Sequence, residues 1–133
     1  MTEAQALHFV EEASKYSGTQ VDLWVIGDTP EPTGIGQIIL KILEASGWKT
    51  AAWNWTGGAT LAGIAIVVKD ASSSNIDQAA NALVDSLNAA GVASARSKWG
   101  QDWDKFPGML NGPPFSADKT APIRIIIGVK PQQ

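Results

Sequence analysis

The sequence predicts an α/β fold: an open mixed sheet of about five strands from two pseudo-repeated βαβ units, plus an N-terminal helix. Three observations predict it. Residues 21–55 and 63–99 each have the pattern strand, loop, helix, glycine, strand. Apolar runs at 21–27, 64–69 and 123–129 lack alternation, which is typical of strands buried on both faces. The length of 133 residues suits a single domain.

These observations leave two arrangements open. Strands buried on both faces, together with three predicted helices, favour a sheet with helices on both sides. The alternative is a ferredoxin-like, two-layer α+β core with one added strand. The repeat in the sequence is compatible with either arrangement.

The N-terminal segment, residues 1–18, is predicted to be a helix that packs on the sheet. Ala6, Phe9 and Ala13 recur at helical spacing on one side. Gly18 suits the position after a helix end, where a left-handed backbone is common.

The first βαβ unit, residues 21–55, contains a helix with apolar residues at i, i+3, i+4, i+7 and i+8. Thr33 is its predicted N-cap, and Gly47 is predicted to end it. The glycines of the segment 33–37 could receive an anion at the helix start or allow close packing on the sheet. Close packing is favoured, because the segment lacks the third glycine of a dinucleotide-binding motif and the Gly-Lys-Ser/Thr of a P-loop. Trp24 and Trp48 are predicted core residues.

The second unit, residues 63–99, repeats this pattern with a helix whose apolar stripe is rich in alanine. Small side chains allow a neighbouring element to approach closely. Ser74 and Asp77 have the spacing of a capping box at the start of this helix. Gly91 is predicted to end it, before a short and polar strand.

Residues 100–120 are predicted to be a long Gly- and Pro-rich aromatic loop, and residues 121–131 hold the last strand. A loop of this length in a small domain is usually functional or mobile. Trp99, Trp103 and Phe106 stand among charged residues, a mixture that is typical of interaction surfaces. We therefore predict an interaction surface there. The alternative is an apolar lid over an exposed sheet edge.

Asp28 and Asp70 occupy equivalent positions in the two units, each directly after an apolar strand, and Lys130 follows the last strand. Ligands of open α/β sheets bind outside the carboxyl ends of strands. The three residues are therefore a candidate ligand-binding site. The pattern is somewhat like the magnesium-binding pocket of receiver domains, although those domains place a helix after every strand. The alternative is that each aspartate accepts backbone N–H bonds in its own turn.

The composition excludes several classes of function. A net charge of −3 disfavours nucleic-acid binding. The absence of cysteine removes disulfides, thiolate nucleophiles and zinc–thiolate sites, and it leaves the compartment open. His8 is the single histidine, which argues against a His-based zinc site or a Ser-His-Asp triad. No apolar run reaches the roughly 20 residues of a membrane span. No cofactor is predicted.

Several motifs, taken in order, resemble a known family. They are Ala45–Trp48, Gly63–Val68, the alanine- and leucine-rich stripe 79–91, and the ending Ile125–Pro131, with its Ile-Gly-Val-Lys-Pro. They resemble the soluble C-terminal domains of small uncharacterised bacterial membrane proteins, over most of residues 4–131. The resemblance implies a membrane segment before the domain. It carries over no activity and no functional residue.

We therefore expect a non-catalytic protein-interaction or regulatory module, the soluble part of a membrane-linked bacterial protein. Its expected partner is another protein or a second copy of the chain. The alternative is a small-ligand or metal-binding domain with its site at the carboxyl ends of the strands. An enzyme is disfavoured, because no nucleophile–base pair is evident.

Overall fold

The computed structural model describes residues 2–26, 30–55, 63–69, 73–97, 109–111 and 121–128. The elements, in chain order, are α1 (Glu3–Ser14), β1 (Gln20–Ile26), α2 (Pro30–Ala45), β2 (Lys49–Trp55), β3 (Ile64–Val68), α3 (Ser74–Ala89), β4 (Ser94–Ser97), β5 (Met109–Asn111) and β6 (Ile123–Ile127). None of the helices within these ranges has both the length and the hydrophobicity needed to cross a membrane.

The strands of the described chain form one mixed sheet in the order β4-β3-β6-β1-β2-β5. β1 is parallel to β2 and β6, and β3 is parallel to β4. β3 runs antiparallel to β6, as β5 does to β2. The predicted mixed α/β sheet is confirmed. β5 is a short additional strand within the segment predicted to be a loop.

The two predicted βαβ units form, and they run in opposite directions on either side of β6. Within each unit the two strands are direct neighbours in the sheet. A ferredoxin-like sheet instead uses split units with another strand between the two. The ferredoxin-like alternative therefore does not form.

All three described helices pack on one face of the sheet. The shared apolar cluster takes alternate residues of the central strands (Val21, Leu23, Val25, Ile64, Ile66, Ile123, Ile125, Ile127) and side chains from every helix (Phe9, Ala13, Ile39, Ile42, Leu43, Ala79, Ala80, Leu83, Leu87). The expectation of helices on both sides is thus wrong for these helices. The reason is handedness: two right-handed crossovers whose strands run in opposite directions and step outward from β6 must share a face.

The helices end just before the glycines that were predicted to end them. Gly47 and Gly91 have φ values of 83° and 79°. The backbone N–H of the residue after each glycine donates to a carbonyl five residues back, at 3.0 Å on Leu43 and 2.9 Å on Leu87. This is the Schellman pattern, which satisfies carbonyls that the helix leaves unpaired. Gly18, with φ 88°, ends the turn after α1. These predictions are confirmed.

The predicted helix starts are wrong by a few residues. α2 begins at Pro30, so Thr33 lies inside the helix instead of capping it. Proline suits a first helical position because its missing N–H would have no partner there. The N-cap of α3 is Ser73, whose hydroxyl accepts the N–H of Ile76 at 3.4 Å. Predicted boundaries fail here because several consecutive polar residues can serve as caps.

Gly36 lies in the interior of α2, where the helix crosses β1. A Cβ at this position would lie 3.0 Å from Val25 Cγ2 and 3.4 Å from Leu23 Cδ2. Glycine therefore allows the helix backbone to approach the sheet. Of the two roles considered for the segment 33–37, close packing is confirmed at Gly36. Anion binding at a helix start does not apply, because the helix begins earlier.

Candidate functional site

A concave surface lies along the seam between α1 and α3, on the solvent side of the helix layer. Its central cavity is about 470 Å³ and is lined by His8, Glu12, Tyr16, Gln78, Asn81, Ala82, Asp85, Ser86 and Ala89. A cavity of about 430 Å³ shares Tyr16 and Gln78 with it at one end. A cavity of about 210 Å³ shares His8, Ser86 and Ala89 at the other. We call the three together the α1–α3 groove.

The sequence of α3 explains why the groove stays open. The face of α3 that meets the sheet is apolar, with Leu83 and Leu87 fully buried. The adjacent face presents small side chains at Ala82, Ser86 and Ala89. Residues three and four apart lie on one side of a helix, so these three form a continuous strip. A strip of small side chains leaves space beside α1.

The groove is bordered by acidic helices. Within their bounds, α1 and α3 carry five carboxylates and neither lysine nor arginine (Glu3, Glu11, Glu12, Asp77, Asp85). Two of the five have cationic neighbours. Lys15 lies 3.2 Å from Glu12, and Arg96 lies 3.4 Å from Asp77. For Asp85, the described part of the chain contributes no ion pair or hydrogen bond.

The chemistry of the groove is that of polar recognition. Gln78 supplies an amide donor and acceptor, and Ser86 supplies a hydroxyl. Asn81 supplies amide donors, while its Oδ1 accepts from Arg96 Nη1 at 2.7 Å. Glu12 and Asp85 supply carboxylates from opposite helices. Among the residues described, no group of three His, Asp or Glu side chains could hold a metal ion. The exposed His8, the single histidine of the sequence, lines two of the cavities.

A second polar region lies on the opposite face of the sheet and is buried. Asp22 and Arg124 are register partners on β1 and β6, with exposed fractions of 2% and 0%. Trp24 stacks on Trp53 with ring centroids 5.1 Å apart, and Arg124 Cζ lies 5.8 Å from the Trp24 ring centroid. We call these four residues the buried polar cluster. Its burial indicates a role in holding the sheet together, and the predicted core position of Trp24 is confirmed.

Sequence reasoning missed the buried polar cluster, although a signal was present. Asp22 and Arg124 each interrupt an apolar run that was predicted to be buried on both faces. A charged residue in such a strand needs a partner of opposite charge or strong hydrogen bonds, because burying an isolated charge is very costly. Opposite charges on two such strands therefore favour a sheet in which the two strands are neighbours.

The predicted ligand site of Asp28, Asp70 and Lys130 lies outside the described residues and stays a prediction. The strands that lead into it bear on its geometry. Ile127, at the end of β6, pairs with Val25 near the end of β1 and with Ile64 at the start of β3. The carboxyl end of β3 therefore lies at the opposite end of the strands from the carboxyl ends of β1 and β6. The separation is roughly 17 Å for a strand of five residues.

The predicted interaction surface of Trp99, Trp103 and Phe106 also lies outside the described residues and stays a prediction. The described chain shows the element that precedes it. β4 is at one edge of the sheet, and its residues 95–97 are exposed.

Comparison of the chain with protein-family models, curated proteins and solved structures finds no match. The resemblance to domains of bacterial membrane proteins stays a prediction.

Proposed function

We propose that this chain is a non-catalytic protein-interaction or regulatory module and that the α1–α3 groove is its interaction surface. The observation that carries the proposal is the groove itself. The groove runs alongside α1, whose 12 residues correspond to roughly 18 Å of helix. That length accommodates about five residues of an extended chain.

The character of the lining supports a protein partner over a small molecule. Small-molecule sites are mostly apolar and enclose most of the ligand. The α1–α3 groove is open and presents amides, a hydroxyl, carboxylates and, at one end, the ammonium group of Lys15. Leu7, three residues after the groove residue Ala4, leaves 59% of its surface exposed and offers an apolar contact beside the rim. A lining that mixes polar groups with alanines and the Tyr16 ring, beside an exposed leucine, suits a non-obligate interface.

Two parts of the proposal come from the sequence alone. The aromatic residues Trp99, Trp103 and Phe106 provide a second contact region. The resemblance to domains of bacterial membrane proteins supports a place next to a membrane. Fractionation of the cells that make the protein tests the second point: recovery only with the soluble fraction after gentle lysis would contradict it.

Site-specific photo-crosslinking tests the interaction surface. The photoreactive residue replaces Gln78 in the groove or, as the matched control, the exposed Lys41 on α2. Irradiation in the cells that make the protein should give a discrete protein adduct from position 78 and none from position 41. The absence of an adduct at 78, or the same adduct from both positions, contradicts the proposal.

A further inference from the structure

We infer that the occupant of the α1–α3 groove is a cationic segment of a partner protein, with lysine or arginine side chains placed between the two helices. The inference deepens the proposed function and rests on it. It commits to a partner protein, so a second copy of this acidic chain is an outcome of the test.

The charge of the two helices is the first argument. Glu3, Glu11, Glu12, Asp77 and Asp85 are the charged residues within α1 and α3, and all are acidic. By contrast, α2 contains a lysine, Lys41, in its exposed surface. The groove itself is lined by the carboxylates of Glu12 and Asp85 and, in its end cavity, by Lys15. The excess of acidic residues on the two helices attracts cationic partners and repels anionic ones. The acidic character is therefore a property of the groove-forming helices.

The position of the carboxylates is the second argument. Glu12 and Asp85 come from opposite helices and line the same cavity. A cation in that cavity therefore meets a carboxylate from each side. Lys15 compensates Glu12 only partly, because the lysine side chain is 63% exposed and its ion pair is screened by water. Asp85 has no intramolecular cation in the described part of the chain, so its charge is available to a partner.

The lining also provides for the backbone of an extended segment. Gln78 and Asn81 lie on the same side of α3 as Asp85, at spacings of three, four and seven residues. Asn81 Oδ1 already accepts from Arg96 Nη1 at 2.7 Å, so Asn81 offers its N–H groups to carbonyls of a segment along the seam. The Gln78 amide can both donate to carbonyls and accept from N–H groups of that segment. The carboxylates of the groove thus select basic side chains in the occupant, and the amides form hydrogen bonds with its backbone.

The exposure of the groove carboxylates determines how strongly they bind a cationic partner. Exposed ion pairs are weak, so each carboxylate contributes a factor of about two to five in affinity. Salt screens such pairs, since the Debye length falls from about 14 Å at 0.05 M to about 4 Å at 0.5 M ionic strength. Binding should therefore be modest and strongly dependent on salt.

Titration of the ¹⁵N-labelled protein with nonapeptides tests the inference. The probes alternate alanine with lysine, glutamine or glutamate. The lysine peptide should shift the amide signals of α1 and α3 at low salt, and the other two should not. Glu12→Gln with Asp85→Asn should weaken its binding roughly tenfold. The matched control Glu44→Gln, an exposed carboxylate on α2, should leave the affinity unchanged.

Several outcomes overturn the inference. They are equal binding of the glutamine peptide, signal shifts centred on α2, and an affinity that the double variant does not change. Concentration-dependent dimerisation that the double variant abolishes would identify a second copy as the occupant instead. If photo-crosslinking from position 78 still captures a protein but the lysine peptide does not bind, the inference falls and the proposed function stands. If position 78 captures nothing, both fall.

Discussion

The two βαβ units of this chain have the same construction, but their helices differ in what they offer to solvent. Leu43 and Leu87 are both fully buried. The carbonyl of each accepts a hydrogen bond from the N–H of the residue after a glycine in the left-handed backbone conformation. α2 approaches the sheet closely through Gly36 and carries charges of both signs. α3 packs through alanines and leucines, carries acidic charges alone, and forms a groove with α1.

The comparison shows that the sheet-facing half of each helix determines the fold, while the outer half is free to specify a surface. Equivalent changes in the sheet-facing halves should therefore have equal effects in the two units. Changes in the outer halves should affect stability little and binding differently.

The largest effect is expected where β6 joins the two units. Arg124 is the register partner of Asp22 in the first unit and of Val67 in the second. Asp22→Asn removes a buried charge opposite a buried arginine, which should cost about 3–5 kcal/mol. Val67→Ala removes only apolar contacts and should cost about 1–3 kcal/mol. Urea unfolding measures both; a smaller loss for Asp22→Asn would show that the buried carboxylate at the register position of Arg124 does not hold the units together.

The next effect compares equivalent core leucines. Leu43→Ala and Leu87→Ala should each lower the free energy of unfolding by about 2–5 kcal/mol, because each leaves a cavity beside the sheet. We expect the two losses to agree within about 1 kcal/mol, since both side chains are fully buried at the same place in the repeat. Denaturant unfolding of both variants provides the measurement. A difference above about 2 kcal/mol would mean that the units are not energetically equivalent.

A smaller effect distinguishes the two glycines after the helices. Gly91→Ala should cost about 1–2 kcal/mol, because its φ of 79° is unfavourable for alanine and nothing lies within 4 Å of the added Cβ. Gly47→Ala should cost more, because its Cβ would also lie 3.0 Å from Ser17 Cβ. Thermal unfolding of the two variants ranks them. The reverse order would contradict the close contact between the end of α2 and the turn after α1.

The smallest effect on stability is expected in the groove. Asp85→Asn should change the free energy of unfolding by less than about 0.5 kcal/mol, as should Glu44→Gln on α2. The two variants should then differ only in binding. Calorimetry gives the unfolding temperatures; a loss above about 1 kcal/mol for Asp85→Asn would assign that carboxylate to the structure of the groove.

The fold could be predicted from local patterns, whereas the site could not. Apolar runs and the positions of Gly47 and Gly91 were sufficient for the two units and the helix ends. The shared face of the helices required the relative direction of the two units, which depends on β6 pairing between distant segments. The groove depends on exposed residues such as Gln78 and Asp85, whose pattern is the same as that of any solvated helix face.

Carboxyl footprinting tests the central claim most directly, because it compares the two helices in one sample. A carbodiimide and an amine label exposed carboxylates of the purified protein and of the protein inside the cells that make it. We expect labelling of Glu12 and Asp85 to fall several-fold in the cell, while Glu44 on α2 labels equally in both. Equal labelling of Asp85 in both samples, or protection of Glu44 alone, would contradict the assignment of the α1–α3 groove as the interaction surface.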